Sequence, residues 1–324
     1  MKTGKTILVL QEMPADKQKA MEALAPDTRF VYPGPSGPTP DQIRSAHAVI
    51  GNLSKQDLAL AENLEWMQVV SAGVRELVAS DSFPGRAVLT NATGAYGLAI
   101  SEHMLGMLLS IQKKLHLYRD NQARQLWHNE GPATAIEGST TIIVGLGDIG
   151  GDFARKMKAL GSCTIGIRKH QTPCPDFLDE LHPPADLDEL LPRADVVALC
   201  LPETPETIGL FNRERLSRLK STAILLNVGR GNVLDTDALC DALESGQLGG
   251  AGLDVTSPEP LPSDHRLWQI RNAVITPHIS GGFQLQATQD RIMQIIMDNV
   301  GRFARGEKLR NVVDFAAGYR AFCD

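Results

Sequence analysis

Three polar side chains in the second half of the chain have the types needed to move a proton and hold an anion: Arg230, Glu259 and His278. Arg230 lies between two glycines in Leu226-Asn227-Val228-Gly229-Arg230-Gly231, so its guanidinium can project from a tight turn behind an apolar strand. Glu259 is fixed between prolines in Ser257-Pro258-Glu259-Pro260, and His278 stands in Ile275-Thr276-Pro277-His278-Ile279-Ser280-Gly281, between a strand and a flexible turn. Histidine exchanges protons near neutral pH. A carboxylate behind it fixes the imidazole tautomer and favours the charged form. A bidentate guanidinium holds a carboxylate or polarises a carbonyl. Taken singly, each residue has a bland explanation: a solvated turn, a loop charge, a structural imidazole. The other histidines lack such a setting, and His103 is expected to pack or cap within its own helix. No H-E-x-x-H or other metal pattern is present, so no metal is expected.

What gives the three residues weight is the loop upstream of them. Ile142-Ile143-Val144-Gly145-Leu146-Gly147-Asp148-Ile149-Gly150 is G-x-G-x-x-G after a β-branched strand, and a helical pattern comes next. Gly145 allows the tight turn, Gly147 lets the backbone approach a pyrophosphate, and Gly150 lets helix and strand pack closely. The N–H groups of Asp148 and Ile149 then open the helix towards the diphosphate. A methyltransferase can carry the same loop, so the loop alone leaves the chemistry open. The next strand ends in Arg168-Lys169, where an acidic residue would hold the ribose hydroxyls of NAD. Cations there suit a 2′-phosphate, so NADP(H) is the preferred cofactor and NAD(H) the alternative.

These residues need elements that deliver them to one place. Short apolar runs at Thr6–Leu10, Arg29–Tyr32, Ala48–Ile50 and Met67–Val70 read as strands, with a helix over Asp16–Leu24 and a shorter one from Asp41. Pro33 to Pro40 reads as loop. A long helical pattern begins near Leu98. A second strand series occupies Thr140–Val144, Thr164–Ile167, Val196–Leu201, Ala223–Asn227, Gly252–Val255 and Ala273–Thr276, and a final helix runs from about Gln284 to Arg305. Strands alternating with helices predict an α/β fold with parallel sheets, whose ligands collect at the carboxyl ends of the strands.

Composition narrows the class. A chain of 324 residues favours two domains. With 32 Lys+Arg against 38 Asp+Glu and no basic block longer than Arg168-Lys169-His170, nucleic-acid binding is not expected. Five cysteines, odd in number and without a C-x-x-C pair, fit a reducing cytoplasm. The run Ile7–Leu10 is too short for a signal peptide, and no apolar stretch approaches the ~18 residues that span a bilayer, so no membrane partner is expected.

The ordered motifs resemble the D-isomer-specific 2-hydroxyacid dehydrogenase family, the group of glyoxylate, hydroxypyruvate and D-lactate-type dehydrogenases. The similarity includes Asn91-Ala92-Thr93-Gly94, Glu102-His103 and Leu201-Pro202, and covers nearly the whole chain. It implies two Rossmann-like domains, the substrate domain discontinuous over 1–97 and 285–324, the dinucleotide domain over 98–284, and the site between them. It implies that His278 exchanges the proton, Glu259 supports it and Arg230 binds a small 2-oxo or 2-hydroxy acid. Leu201, Pro202 and Asp254 would meet the cofactor, Asp254 at the nicotinamide carboxamide. The Ser71-Ala72-Gly73-Val74 loop would offer N–H groups to the substrate carboxylate, while Arg75 is expected to face water. The segment from Leu98 to Trp127 resembles the family's dimer arm. A homodimer is therefore expected, because the arm would otherwise expose Leu105, Leu109, Leu117 and Trp127. Formate dehydrogenase carries glutamine where Glu259 stands, and phosphoglycerate dehydrogenase would need room for a further regulatory domain. A cofactor-sensing corepressor of the same fold could keep every motif.

Overall fold

The computed structural model describes residues 4–79, 83–170, 172–283 and 285–320. Its contacts divide the chain into two units, Met1–Ala95 with Phe283–Asp324, and Tyr96–Gly282.

The first unit is built on five strands: β1 (Thr6–Val9), β2 (Arg29–Val31), β3 (Ala48–Ile50), β4 (Trp66–Gln68) and β5 (Val88–Thr90). They pair in the order β2-β1-β3-β4-β5, all parallel. A parallel sheet is covered on both faces, so its inner strands are largely apolar; Ile7, Leu8, Val49, Ile50 and Met67 are all fully buried. The helix after β2 starts at Pro40, one residue inside the expected loop. Thr39 and Gln42 exchange side-chain and backbone hydrogen bonds across its first turn, and proline suits a position whose N–H would go unpaired.

The second unit carries seven parallel strands: β6 (Thr140–Val144), β7 (Cys163–Ile167), β8 (Glu180–His182), β9 (Val196–Leu199), β10 (Ile224–Asn227), β11 (Gly250–Leu253) and β12 (Ala273–Ile275). Their order is β12-β11-β10-β9-β6-β7-β8. The order reverses between β6 and β9, which makes their carboxyl ends the crevice where a doubly wound sheet binds ligands. The edge strand β8 is held partly by charge. Arg193, then His182, hold the Glu180 carboxyl down at about 2. Glu180 in turn raises His182 against the opposing effect of burial, and Asp186 adds to the rise.

The long helical pattern is two helices, Gly97–Gln112 and Leu115–Ala123. Lys114 breaks it with a left-handed backbone (φ 56°), and its ammonium bonds the Glu130 carbonyl. Downstream of the second unit the helix Gln286–Arg305 ends at Gly306, whose φ of 71° closes the last turn. Gln284, the expected start of this helix, lies outside the described residues, as does Cys323. The helix packs Phe303 against Trp66 of the first unit's sheet, with ring centroids 5.1 Å apart. An antiparallel pair, β13 (Val313–Asp314) and β14 (Tyr319–Arg320), comes after it. Among the described residues no helix is long and apolar enough to cross a membrane.

The contact between β6 and its following helix is tight enough to test. A Cβ on Gly150 would lie 2.0 Å from the Gly145 carbonyl oxygen, a backbone atom that cannot step aside. Gly150→Ala should therefore destabilise the protein by roughly 1–3 kcal/mol or more, seen as a lower urea midpoint. A midpoint equal to the parent's would refute the close-packing account.

Candidate functional site

At the carboxyl end of β6 the glycine loop has the shape its sequence requires. Gly145 turns with φ 100°, and a Cβ there would meet the Cys200 carbonyl oxygen at 2.7 Å, across the point where the strand order reverses. Gly147 differs: a Cβ built on it meets nothing within 4 Å. Space lies open over a backbone stripped of side chain, at the start of the helix Asp148–Ala159, whose first-turn N–H groups find no acceptor within the helix itself. A diphosphate fits that cradle. Asp148 is turned away from it, accepting the Gly97 N–H at 2.8 Å.

Beside the loop is a cavity of about 270 Å³ whose lining includes Gly147, Asp148, Arg155, Arg168 and Thr172. Arg168 donates to the Thr172 hydroxyl at 3.1 Å. The two cations at the end of β7 are not equivalent. Lys169 pairs with Glu206 at 2.8 Å in an exposed ion pair and is absent from the cavity lining, whereas Arg168 and Arg155 line it. Arg155 escapes the motif reading. It stacks over Phe177 at 4.2 Å, and only its helical spacing from the glycine loop could have suggested it.

The Arg230 turn comes directly after β10. Asn227, fully buried, donates through its amide to the Arg230 carbonyl at 3.0 Å and accepts the Gly229 N–H at 3.1 Å, tying the turn shut. Both flanking glycines are forced by neighbours. A Cβ on Gly229 would lie 2.5 Å from the Leu201 carbonyl oxygen, and one on Gly231 would lie 1.9 Å from that of Thr256. The Leu201-Pro202 loop, the Arg230 turn and the Thr256–Pro260 segment are therefore packed backbone to backbone. The arginine itself is half-buried, and one of its nitrogens donates to the Gly229 carbonyl at 2.7 Å.

His278 and Glu259 meet. His278 Nδ1 and Glu259 Oε1 are 2.5 Å apart, and among the described residues Nε2 of the imidazole has no partner. The histidine backbone is left-handed, with φ 53°. That conformation is costly for a residue with a Cβ and persists where the surroundings impose it. Here Asp254 imposes it. The Asp254 carbonyl accepts the His278 N–H at 2.8 Å, and its carboxylate accepts from Ile279 N–H and Ser280 N–H, each at 3.0 Å, and from the Thr276 hydroxyl at 2.6 Å. The carboxylate is 1% exposed, turned into the turn it organises.

His103, expected to pack or cap within its own helix, is instead bonded outside it. Its Nε2 reaches Thr276 Oγ1 at 2.9 Å. Nothing in the neighbourhood of either residue in sequence links them, since 173 positions separate the two.

In the first unit, Ser71, Ala72, Gly73 and Val74 lie beyond the end of β4. Asn91 donates to the Ala72 carbonyl at 2.8 Å, and Ala92 N–H to the Ser71 carbonyl at 3.0 Å. The carbonyls are thus used, while the N–H groups of Ala72, Gly73 and Val74 have no acceptor among the described residues. Arg75 is exposed and opens a short helix, Arg75–Val78.

The segment after the helix Leu115–Ala123 presents Trp127 fully exposed, with Leu126, Leu115 and Tyr118 exposed near it in sequence. Leu105, Leu109 and Leu117 are half-buried instead, because the helix Gly97–Gln112 packs on its own unit and the break at Lys114 redirects the next helix.

Residues 105–280 match the family model described as D-isomer specific 2-hydroxyacid dehydrogenase, NAD binding domain. The chain is 30% identical to a glyoxylate reductase/hydroxypyruvate reductase of Mus musculus, over 94% of this chain and 96% of the relative. It is similar to the crystal structure of a D-isomer specific 2-hydroxyacid dehydrogenase family protein from Aeromonas salmonicida, with a TM-score of 0.84, 34% identity, and coverage of 97% of this chain and 100% of that one. A D-isomer specific 2-hydroxyacid dehydrogenase from Xanthobacter autotrophicus, solved with NADPH and MES, gives a TM-score of 0.81 and 27% identity, over 98% of this chain and 100% of that one.

Proposed function

The chain belongs to the D-isomer-specific 2-hydroxyacid dehydrogenase family of NAD(P)-dependent oxidoreductases, and we propose that it reduces a small 2-oxo acid, with His278 as acid–base group, Glu259 supporting it and Arg230 binding substrate. The observation that carries this reading is the 2.5 Å contact between His278 Nδ1 and Glu259 Oε1. With Nδ1 engaged, Nε2 is the atom left to exchange a proton with a carbonyl or hydroxyl oxygen. Arg230 supplies a fixed positive charge to the carboxylate or to the carbonyl oxygen as it gains charge. The N–H groups of the Ser71–Val74 loop suit the substrate carboxylate.

When bound, the nicotinamide supplies or takes up the hydride. Gly145, Gly147 and Gly150 with the N–H groups of Asp148 and Ile149 would hold the diphosphate, and Leu201 and Pro202 would flank the cofactor. Arg168 would meet a 2′-phosphate, with Lys169 adding a longer-range positive field already partly answered by Glu206. Asp254 would serve the nicotinamide end by fixing the turn around it. NADPH, bound in the Xanthobacter relative, is the preferred cofactor. The free thiols of Cys163, Cys174, Cys200 and Cys240 support a cytoplasmic location. The exposed face around Trp127 supports a homodimer.

The direct test is oxidation of NADPH with a panel of 2-oxo acids beginning with glyoxylate and hydroxypyruvate. Turnover with at least one is expected, and none across the panel would sink the reading. Arg168→Ala should lower kcat/KM for NADPH by roughly 10–100-fold, as the loss of a charge-assisted hydrogen bond does, and leave NADH nearly unchanged. Equal responses would remove Arg168 from the 2′-phosphate. His278→Ala should cost on the order of 10²–10⁴-fold in both directions. Glu259→Ala removes the partner of His278 Nδ1 and should lower kcat by on the order of 10-fold, the scale on which misplacement of a reacting group acts; a parental kcat would exclude that role for Glu259. For the assembly, sedimentation of the parent should show a dimer at micromolar concentration, and Trp127→Arg should shift it towards monomer. A monomeric parent would rule the dimer out.

A further inference from the structure

We propose that His103 is a positioning residue for His278, acting through the Thr276 hydroxyl and the Asp254 carboxylate; the inference rests on the reading of His278 as the acid–base group. The chain of contacts has a direction that hydrogen counting fixes. Thr276 has one hydroxyl hydrogen, and at 2.6 Å from Asp254 Oδ1 that hydrogen can go only to the carboxylate, which has none to give in its ionised form. Thr276 must therefore accept at its other contact, so His103 Nε2, 2.9 Å away, is the donor. Either neutral imidazole with the proton on Nε2, or imidazolium, meets this requirement. The tautomer with its proton on Nδ1 does not.

His103 thus holds the Thr276 hydroxyl in the rotamer that serves Asp254. The direct His103–Asp254 separation of 3.9 Å is too long for a hydrogen bond, so the hydroxyl is the working link. Asp254 Oδ1 also accepts the Ile279 N–H, and Oδ2 accepts the Ser280 N–H, while the Asp254 carbonyl accepts the N–H of His278 itself. A hydroxyl free to rotate would leave one of the carboxylate's three donors unfixed. The left-handed turn that aims the imidazole at Glu259 would then lose part of what imposes it.

His103→Ala should lower reductive kcat by on the order of 10-fold, the scale on which small misplacements of reacting groups act, with KM for the 2-oxo acid little changed. His103→Gln, which keeps a side-chain N–H donor, should recover most of that loss. Thr276→Val should reproduce the effect of His103→Ala. The double variant should be no worse than Thr276→Val alone, since both break one link. Additive losses, or His103→Ala with parental kcat, would overturn the proposal; so would a glutamine variant as impaired as the alanine one, because a merely structural role gives no reason for donor rescue. A readout on the parent needs neither turnover nor a variant that folds: ¹⁵N shifts of the His103 imidazole should report a proton on Nε2 at high pH. The Nδ1–H tautomer would refute the relay. If the parent reduces no 2-oxo acid, the functional reading fails, while the tautomer still decides whether the relay exists.

Discussion

A carboxylate shut away from water must be met by donors or it costs more than its packing returns. Among the described residues, Asp254 is the one carboxylate, ammonium or guanidinium side chain that is buried. Its three donors come from one short stretch of chain, Thr276 to Ser280, immediately after β12. To present two consecutive N–H groups to one carboxylate the backbone must curl, and the curl is what leaves His278 at φ 53°. Satisfying a buried charge thus dictates the path of the turn, and the turn dictates where the imidazole goes.

The same edge of the seven-stranded sheet is crowded for a related reason. Parallel strands deliver all their carboxyl ends to one side, so the loops after β6, β9, β10 and β11 compete for the same space. The solution is to remove side chains where backbones cross. Gly145 abuts Cys200, Gly229 abuts Leu201 and Gly231 abuts Thr256, each closer than any Cβ would permit. Asn227 then locks the Arg230 turn from below. Arg230 carries a long side chain between two positions that can carry none. The glycines either side of it are part of how it is placed.

Crowding of this kind decides which features are legible in the sequence. Glycine exclusion acts over a few residues, so the G-x-G-x-x-G loop and the Arg230 turn can be read directly, as can strands such as β3 and β9 that are apolar from end to end. Other elements draw their stability from distant partners. The edge strand β8 reads Glu180-Leu181-His182, too polar to announce itself, and is pinned by Arg193, Asp186 and its own charges. β5 is only Val88–Thr90, and Thr90 is buried because it accepts from Trp66 and donates towards Gln68. The long helical pattern gives no warning of the break at Lys114, which is answered by the carbonyl of Glu130. Likewise the partner of His103 lies on another strand end, and no local pattern points to it.

The placement of the His278–Glu259 pair comes from these supports and not from its own attraction. His278 and Glu259 are 48% and 41% exposed, and in that setting an ion pair contributes on the order of 0–1 kcal/mol or less. Such a weak interaction cannot hold two side chains against the freedom that water offers them. The structure therefore divides the labour. Exposure leaves the imidazole of His278, the proposed acid–base group, open to solvent, and the buried Asp254 turn removes the freedom that exposure would otherwise confer. A site arranged the other way, with the imidazole buried and its support at the surface, would hold its geometry less firmly and reach its substrate less easily.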